Sequence, residues 1–327
     1  MSELKRNPEK IAELIREAQT IAVVSHVNPD GDTIGSATAM RLILLSLGKD
    51  VSLFCDGKVP DMLSLVPGQE LFRTPDGSEG PFDLMLAVDV SDDKRLGTCA
   101  SLIAKCKRTA QIDHHPTNPL YMEVNSVDGG APATCMLIHE QMKVLGVPLT
   151  RDIAICLYTG ISTDTGNFAF GSTNAEAFRI MSELMEHDLP LEKLNRMLFR
   201  VKSREQTKLL GKALESLRFR GNGKIAVMKL TLADFEACNA LSEHADTIVN
   251  YGLDTKDTRM AMLARETEEG QIKFSLRTRE PFTVNDTAAQ FGGGGHPQAS
   301  GITMDGTLEE TTEKVLRVME EKVEQSQ

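Results

Sequence analysis

The triplet Asp113-His114-His115 sets one carboxylate beside two imidazoles, at the end of the short β-like run 110–112 and just before the break at Pro116. Carboxylate oxygen and neutral imidazole nitrogen together suit a hard or borderline divalent cation. Two adjacent histidines can equally be ordinary polar loop residues, so the triplet gains meaning only from its company. That company stands at the ends of other apolar runs. His26, Asp30 and Asp32 follow 21–24, Asp89 closes 82–88, and Asp164 follows the helical stretch 151–162. Of the seven histidines, His26, His114 and His115 fall in these segments. His139, His187 and His244 lie in helical stretches and read as surface or internally satisfied residues.

Such a set can hold two ions. Two divalent cations roughly 3.5–4 Å apart can hold a hydroxide between them and clamp the oxygens of an in-line displacement at phosphorus. Four or more carboxylates gathered in one place repel one another and need cations to offset that repulsion. Mixed Asp/His ligation suits Mn²⁺, with Mg²⁺ or Co²⁺ as alternatives, and the residue types exclude an all-thiolate zinc site. A second feature is the run Gly292-Gly293-Gly294-Gly295-His296. Glycines let backbone N–H groups approach an anion as a nest, with His296 adding a donor. Arg277 can take a phosphate with both arms of its planar fork. Arg259 and Arg279 are weaker candidates of the same kind. Tyr251 could stack on a base or simply pack. The basic stretch from Lys193 to Lys224 reads first as a solvated helical face and second as an anion-attracting one.

The elements that must position these residues alternate. A helix over 8–18 precedes the strand 21–24, and a helix capped by Asp32 or Thr33 runs to about Leu47. Strands follow at 51–55, 82–88 and 110–112, then helices at 132–145, 151–162, 174–187 and 190–200. Strands alternating with helices give an α/β fold with a doubly wound, mostly parallel sheet, in which strand ends converge on one crevice. A connecting helix spans 203–217. The turn Gly221-Asn222-Gly223 opens a smaller α+β unit, with strands near 225–230, 258–264, 271–277 and 300–304 and a final helix over 308–323. The expected organisation is a catalytic metal-binding domain over 1–200, a helical linker over 201–220 and a substrate-binding domain over 221–327. The active site is expected in the cleft between the two domains.

Composition narrows the setting. With 327 residues, 41% of them hydrophobic and 25% charged, the chain is an ordinary globular protein long enough for two domains. A net charge of −11 argues against non-specific coating of nucleic acid, and the absence of Trp with only three Tyr argues against a long stacking platform. The six cysteines show no C-x-x-C spacing and read as reduced thiols of a cytoplasmic protein. The charged first ten residues carry no apolar leader, and no apolar run is long enough to span a bilayer, so no membrane partner is expected.

In order and spacing, His26-x-x-x-Asp30-x-Asp32, Asp89, Asp113-His114-His115 and Asp164 before Thr165-Gly166 resemble the motifs of the DHH phosphoesterase family. The glycine run resembles the signature of the DHH-associated domain, and Arg277 resembles the arginine of that domain's substrate strand. The resemblance covers nearly the whole chain. It implies one metal held by His26, Asp30 and Asp89 and another by Asp32, Asp89, His114 and Asp164, with Asp89 bridging. It implies a substrate-facing His115 that bonds the scissile phosphate or protonates the leaving oxygen. Asp113 would stand behind, orienting a ligand histidine. Arg277, Gly293, Gly294, Gly295, His296 and Arg259 would bind substrate. Among DHH proteins the nanoRNase type fits best. Such an enzyme hydrolyses short single-stranded RNA or dinucleotides to nucleoside 5′-monophosphates and removes the 3′-phosphate of 3′-phosphoadenosine 5′-phosphate. The alternative is a phosphodiesterase for cyclic or linear dinucleotides of the c-di-AMP/pApA pathway; a catalytically silent nucleotide-binding protein is a third reading. A second copy of the chain is a candidate partner.

Overall fold

The computed structural model describes residues 6–325; Met1–Lys5, part of the stretch read for a leader, lie outside the described residues. The chain divides into two units, Met1–Val201 and Lys202–Gln327.

The first unit begins with α1 (Pro8–Glu17), which buries Ile11, Leu14 and Ile15 along one face. There follow β1 (Thr20–Val24), α2 (Gly31–Ser46), β2 (Asp50–Phe54) and β3 (Phe82–Val88). Two 3₁₀ stretches joined at Gly97 fill Asp93–Lys105 and lead into β4 (Cys106–Asp113) and β5 (Val124–Val127). The helices α3 (Thr134–Val144), α4 (Arg151–Asp164), α5 (Ala175–Met185) and α6 (Leu191–Phe199) complete it. The five strands pair in parallel in the order β2-β1-β3-β4-β5. β5 was not expected. Its sequence, Val-Asn-Ser-Val, is short and half polar, and Asn125 and Ser126 are nonetheless buried.

Helix α2 carries Asp32 in its first turn. It is buried along nearly its whole length and packs against α4 and α3. Glycine makes that packing close. A Cβ on Gly35 would sit 2.6 Å from Cys156 O, and one on Gly160 would sit 2.3 Å from Cys135 Sγ and 2.5 Å from Asp32 Oδ1. The helix cap also differs from expectation. Asp30 occupies it, and its Oδ1 accepts from the N–H groups of Asp32 and Thr33, each at 3.1 Å. Asp32 lies past the cap, so its carboxylate is left for other partners.

The second unit begins with α7 (Arg204–Glu215), the helix expected as a linker, whose Leu209 and Ala213 are buried in this unit's core. After it come β6 (Arg218–Arg220), β7 (Ile225–Leu230), α8 (Leu232–Cys238), α9 (Val249–Leu253), β8 (Met260–Glu266) and β9 (Gln271–Thr278). The last elements are α10 (Asn285–Gln290), β10 (Gly294–His296), β11 (Ala299–Asp305) and α11 (Leu308–Gln325). A six-stranded sheet in the order β10-β11-β9-β8-β7-β6 is antiparallel except for the parallel pair β7 and β8. Among the described residues, no helix is long and apolar enough to cross a membrane.

Candidate metal centre

The residues at the strand ends converge in the first unit. His26 follows β1; its Nε2 lies 3.5 Å from Asp30 Oδ2 and 3.6 Å from Asp89 Oδ2. His114 follows β4; its Nε2 lies 3.6 Å from Asp89 Oδ1, 3.3 Å from Asp164 Oδ2 and 3.9 Å from Asp32 Oδ2. Three overlapping groups result: His26 with Asp30 and Asp89, Asp32 with His114 and Asp164, and Asp89 with His114 and His115. Each puts one ligand atom per residue within 4.8 Å of the others. Asp89 turns Oδ2 toward His26 and Oδ1 toward His114 and His115. Its backbone takes a left-handed φ of 60°, a region that aspartate enters more readily than most residues with a Cβ.

The imidazoles are oriented from behind. His26 Nδ1 lies 2.7 Å from Val27 O, and His114 Nδ1 lies 3.1 Å from Ala131 O. Asp113 was expected to orient a ligand histidine, and the ring it holds is that of His115, which groups with Asp89 and His114. The Oδ1 of Asp113 lies 2.7 Å from Nδ1 of His115, while its Oδ2 accepts from Asn118 Nδ2 at 2.6 Å. The carbonyl of Ala131 already satisfies His114, so the buried acid turns to the next ring. With Nδ1 engaged, Nε2 is the free nitrogen of His115.

Two groups escaped the sequence reading. Helix α3 has Ala133 at its cap and therefore no side-chain oxygen for its first amides. Asp32 supplies one from across the packing. Its Oδ2 accepts from Thr134 N at 2.6 Å and its Oδ1 from Cys135 N at 3.0 Å. The hydroxyl of Thr134 donates to Asp89 Oδ1 at 2.7 Å. One helix turn thus holds a carboxylate of each group. A bare alanine at a helix start was the one available signal.

The electrostatics test whether cations belong here. Burial, and then the charges of Asp32, Asp30, Asp164 and Asp113, push the Asp89 carboxyl well above the usual range. Burial raises Asp32 too, against the pull of His114 and the α3 amides. Burial, with Asp32 and Asp30 adding, pushes Asp164 up to about 9. Among the described residues, the ion-pair partners of these three acids are histidines alone. Acids that resist ionisation together and lack a lysine or arginine partner fit a site completed by divalent cations.

The remaining candidates lie in the second unit. Residues 294–296 form an edge strand, and Gly292 before it takes a left-handed φ of 74°. A Cβ on Gly293 would sit 2.2 Å from Gly301 O and one on Gly295 2.5 Å from Ala299 O, so closeness to β11 requires glycine there. The register aligns His296, Ala299, Arg277 and Ala261 in one row across the sheet. His296 is exposed and Arg277 half-buried. Arg259 is exposed just before β8. Tyr251 is 38% exposed, with Lys202 Nζ 5.9 Å from its ring centroid.

A parallel sheet whose strand ends gather aspartates and histidines into overlapping groups around Asp89 defines a site able to hold divalent cations. The chain belongs to the DHH family: residues 20–161 match its N-terminal domain, and residues 208–325 match the DHHA1 domain. It is 31% identical over 317 residues to the bifunctional oligoribonuclease and PAP phosphatase NrnA of Thermus thermophilus, covering 96% of this chain and 93% of that one. It is 28% identical over 307 residues to the Bacillus subtilis protein of the same name, covering 89% and 92%. A solved structure of an exopolyphosphatase-related protein from Bacteroides fragilis superposes with a TM-score of 0.89 at 27% identity, over 97% of both chains.

Proposed function

We propose that the protein is a metal-dependent phosphoesterase that hydrolyses short oligoribonucleotides to nucleoside 5′-monophosphates and removes the 3′-phosphate of 3′-phosphoadenosine 5′-phosphate. The observation that carries the reading is the division of Asp89, with Oδ2 toward His26 and Oδ1 toward His114. The relatives named as oligoribonuclease and PAP phosphatase supply the substrate class. His26, Asp30 and Asp89 would hold one ion, and Asp32, Asp89, His114 and Asp164 the other, with Mn²⁺ suited to both. When bound, two such ions supply activation of water and neutralisation of charge developing on the phosphate. The chain's own residues do the rest. In its imidazolium form His115 would keep its Nδ1–H bonded to Asp113 and face the substrate with Nε2–H, which passes its proton to the leaving oxygen and leaves the ring neutral. Thr134 and the α3 amides hold the carboxylates still. Arg277, Arg259, His296 and the edge of residues 293–295 would take the substrate's far phosphate. The free cysteines suit a cytoplasmic setting.

The test is one panel with Mn²⁺, Mg²⁺ or Co²⁺: linear dinucleotides, RNA 5-mers, long single strands, cyclic dinucleotides, 3′-phosphoadenosine 5′-phosphate and pyrophosphate. Fastest turnover of the short RNAs, with release of 5′-monophosphates, is expected. Preference for long strands or for pyrophosphate would overturn the proposal, and preference for cyclic dinucleotides would replace its substrate.

A further inference from the structure

Arg95 borders the metal centre without belonging to it. Its main chain is pinned. Asp92 Oδ1 accepts from Lys94 N at 3.0 Å and Arg95 N at 3.2 Å, and Arg95 O accepts from Val27 N at 2.8 Å. Two residues on, Gly97 turns the chain at a φ of 55°, where a Cβ would meet Asp56 Oδ2 at 2.4 Å and Val27 Cγ1 at 2.5 Å. The backbone is therefore fixed beside His26, while the side chain is only half-buried. Its Nη2 lies 3.0 Å from His26 Nδ1. Among the described residues, the guanidinium has no carboxylate within 4.0 Å.

That contact conflicts with a ligand role for His26. A guanidinium only donates, so it needs the lone pair of Nδ1, and the proton must then sit on Nε2. Nε2 is the nitrogen that faces Asp30 and Asp89. A cation on Nε2 requires the other tautomer, with Nδ1 donating to Val27 O at 2.7 Å. Arg95 then meets a donor instead of an acceptor and loses its partner. Its charge already acts on Asp30; with the acids of the rim taken up by cations, the acceptor left for the fork is a phosphate oxygen.

We infer that Arg95 binds a non-bridging oxygen of the substrate phosphate, and that filling the His26 position frees it to do so. The inference rests on the proposed phosphoesterase reading and names a residue that discriminates for the anion. It also makes Arg95 a competitor of the metal for the single ring lone pair of His26.

The experiment uses the full chain and two ligands that need no turnover, Mn²⁺ and inorganic phosphate. Mn²⁺ affinity is read by electron paramagnetic resonance, and phosphate affinity by calorimetry with and without Mn²⁺. Arg95→Met keeps the apolar stem and removes the fork; Arg95→Lys keeps the charge and covers the case in which the first variant does not fold. Arg95→Met should bind phosphate about tenfold or more weakly in the Mn²⁺-loaded protein, by loss of a charge-assisted hydrogen bond. Its Mn²⁺ affinity should be unchanged or tighter. Arg95→Lys should fall between it and the parent chain. Weaker Mn²⁺ binding with unchanged phosphate affinity would make Arg95 a prop for His26 and overturn the inference. Failure to hydrolyse oligoribonucleotides would leave both binding measurements intact, and so sink the functional reading separately.

Discussion

Thr134→Val isolates one hydrogen bond at the centre of the site. The swap keeps the β-branched shape and the backbone N–H, so Asp32 retains its contact to residue 134 at 2.6 Å. What disappears is the hydroxyl donated to Asp89 Oδ1 at 2.7 Å, in a fully buried setting. A hydrogen bond to a charged acceptor contributes about 1.5–3 kcal/mol. At about 1.4 kcal/mol per factor of ten, that predicts a loss of roughly 10–100-fold in metal affinity, which matches the usual cost of removing a group that orients a ligand. Thr134→Ser keeps the donor and should recover most of the loss. Equilibrium Mn²⁺ titration of the three proteins is the assay. Affinity for the valine variant within about threefold of the parent, or a serine variant as weak as valine, would refute the reasoning.

Two further outcomes rest on the same geometry. In metal-free protein, Asp164 has a folded-state pKa of about 9 against ~3.9 in an unfolded chain. The folded state then holds a proton that the unfolded chain releases, so stability falls as pH rises between those values. Thermal unfolding of chelated protein should show that slope, Asp164→Asn should flatten it, and a slope unchanged by the substitution would count against the site's charge crowding. Gly160→Ala should cost about 1–3 kcal/mol through overpacking and weaken metal binding by displacing Asp32. Gly211→Ala, in open space on exposed α7, should stabilise by up to about 1 kcal/mol; equal effects at the two glycines would dismiss the close-packing argument.

How much of this could be read beforehand depended on the kind of interaction. Asp89 and His114 were legible because each ends an apolar run, and in a parallel sheet such ends meet. The sheet's first four strands were legible for the same reason. β5 was not, since Asn125 and Ser126 look like loop residues; Gln111 satisfies Asn125 inside the fold, and Asn7 contacts Ser126. Nor were the contacts made by backbone groups and hydroxyls. No spacing announces that Thr134 reaches Asp89, or that a carbonyl at Ala131 would free Asp113 for His115. Arg95 lies six residues past Asp89 and reads as an ordinary surface arginine until the fold sets it against His26. The glycine run was legible as a site of close approach, and β11 makes one such approach at Gly293 and Gly295.

The prior engagement of the carboxylates has a consequence for coordination number. Asp30 uses Oδ1 to cap α2, Asp32 lends both oxygens to amides of α3, and Asp89 gives one oxygen to each neighbourhood. With these oxygens already accepting hydrogen bonds, each acid would meet an ion most readily through one oxygen. The His26 position then offers three protein atoms, roughly half of an octahedral shell. An ion held there would leave its remaining positions to water, which a phosphate oxygen could replace. Carboxylates already committed to the protein's own helices would in this way leave a bound cation room for its substrate.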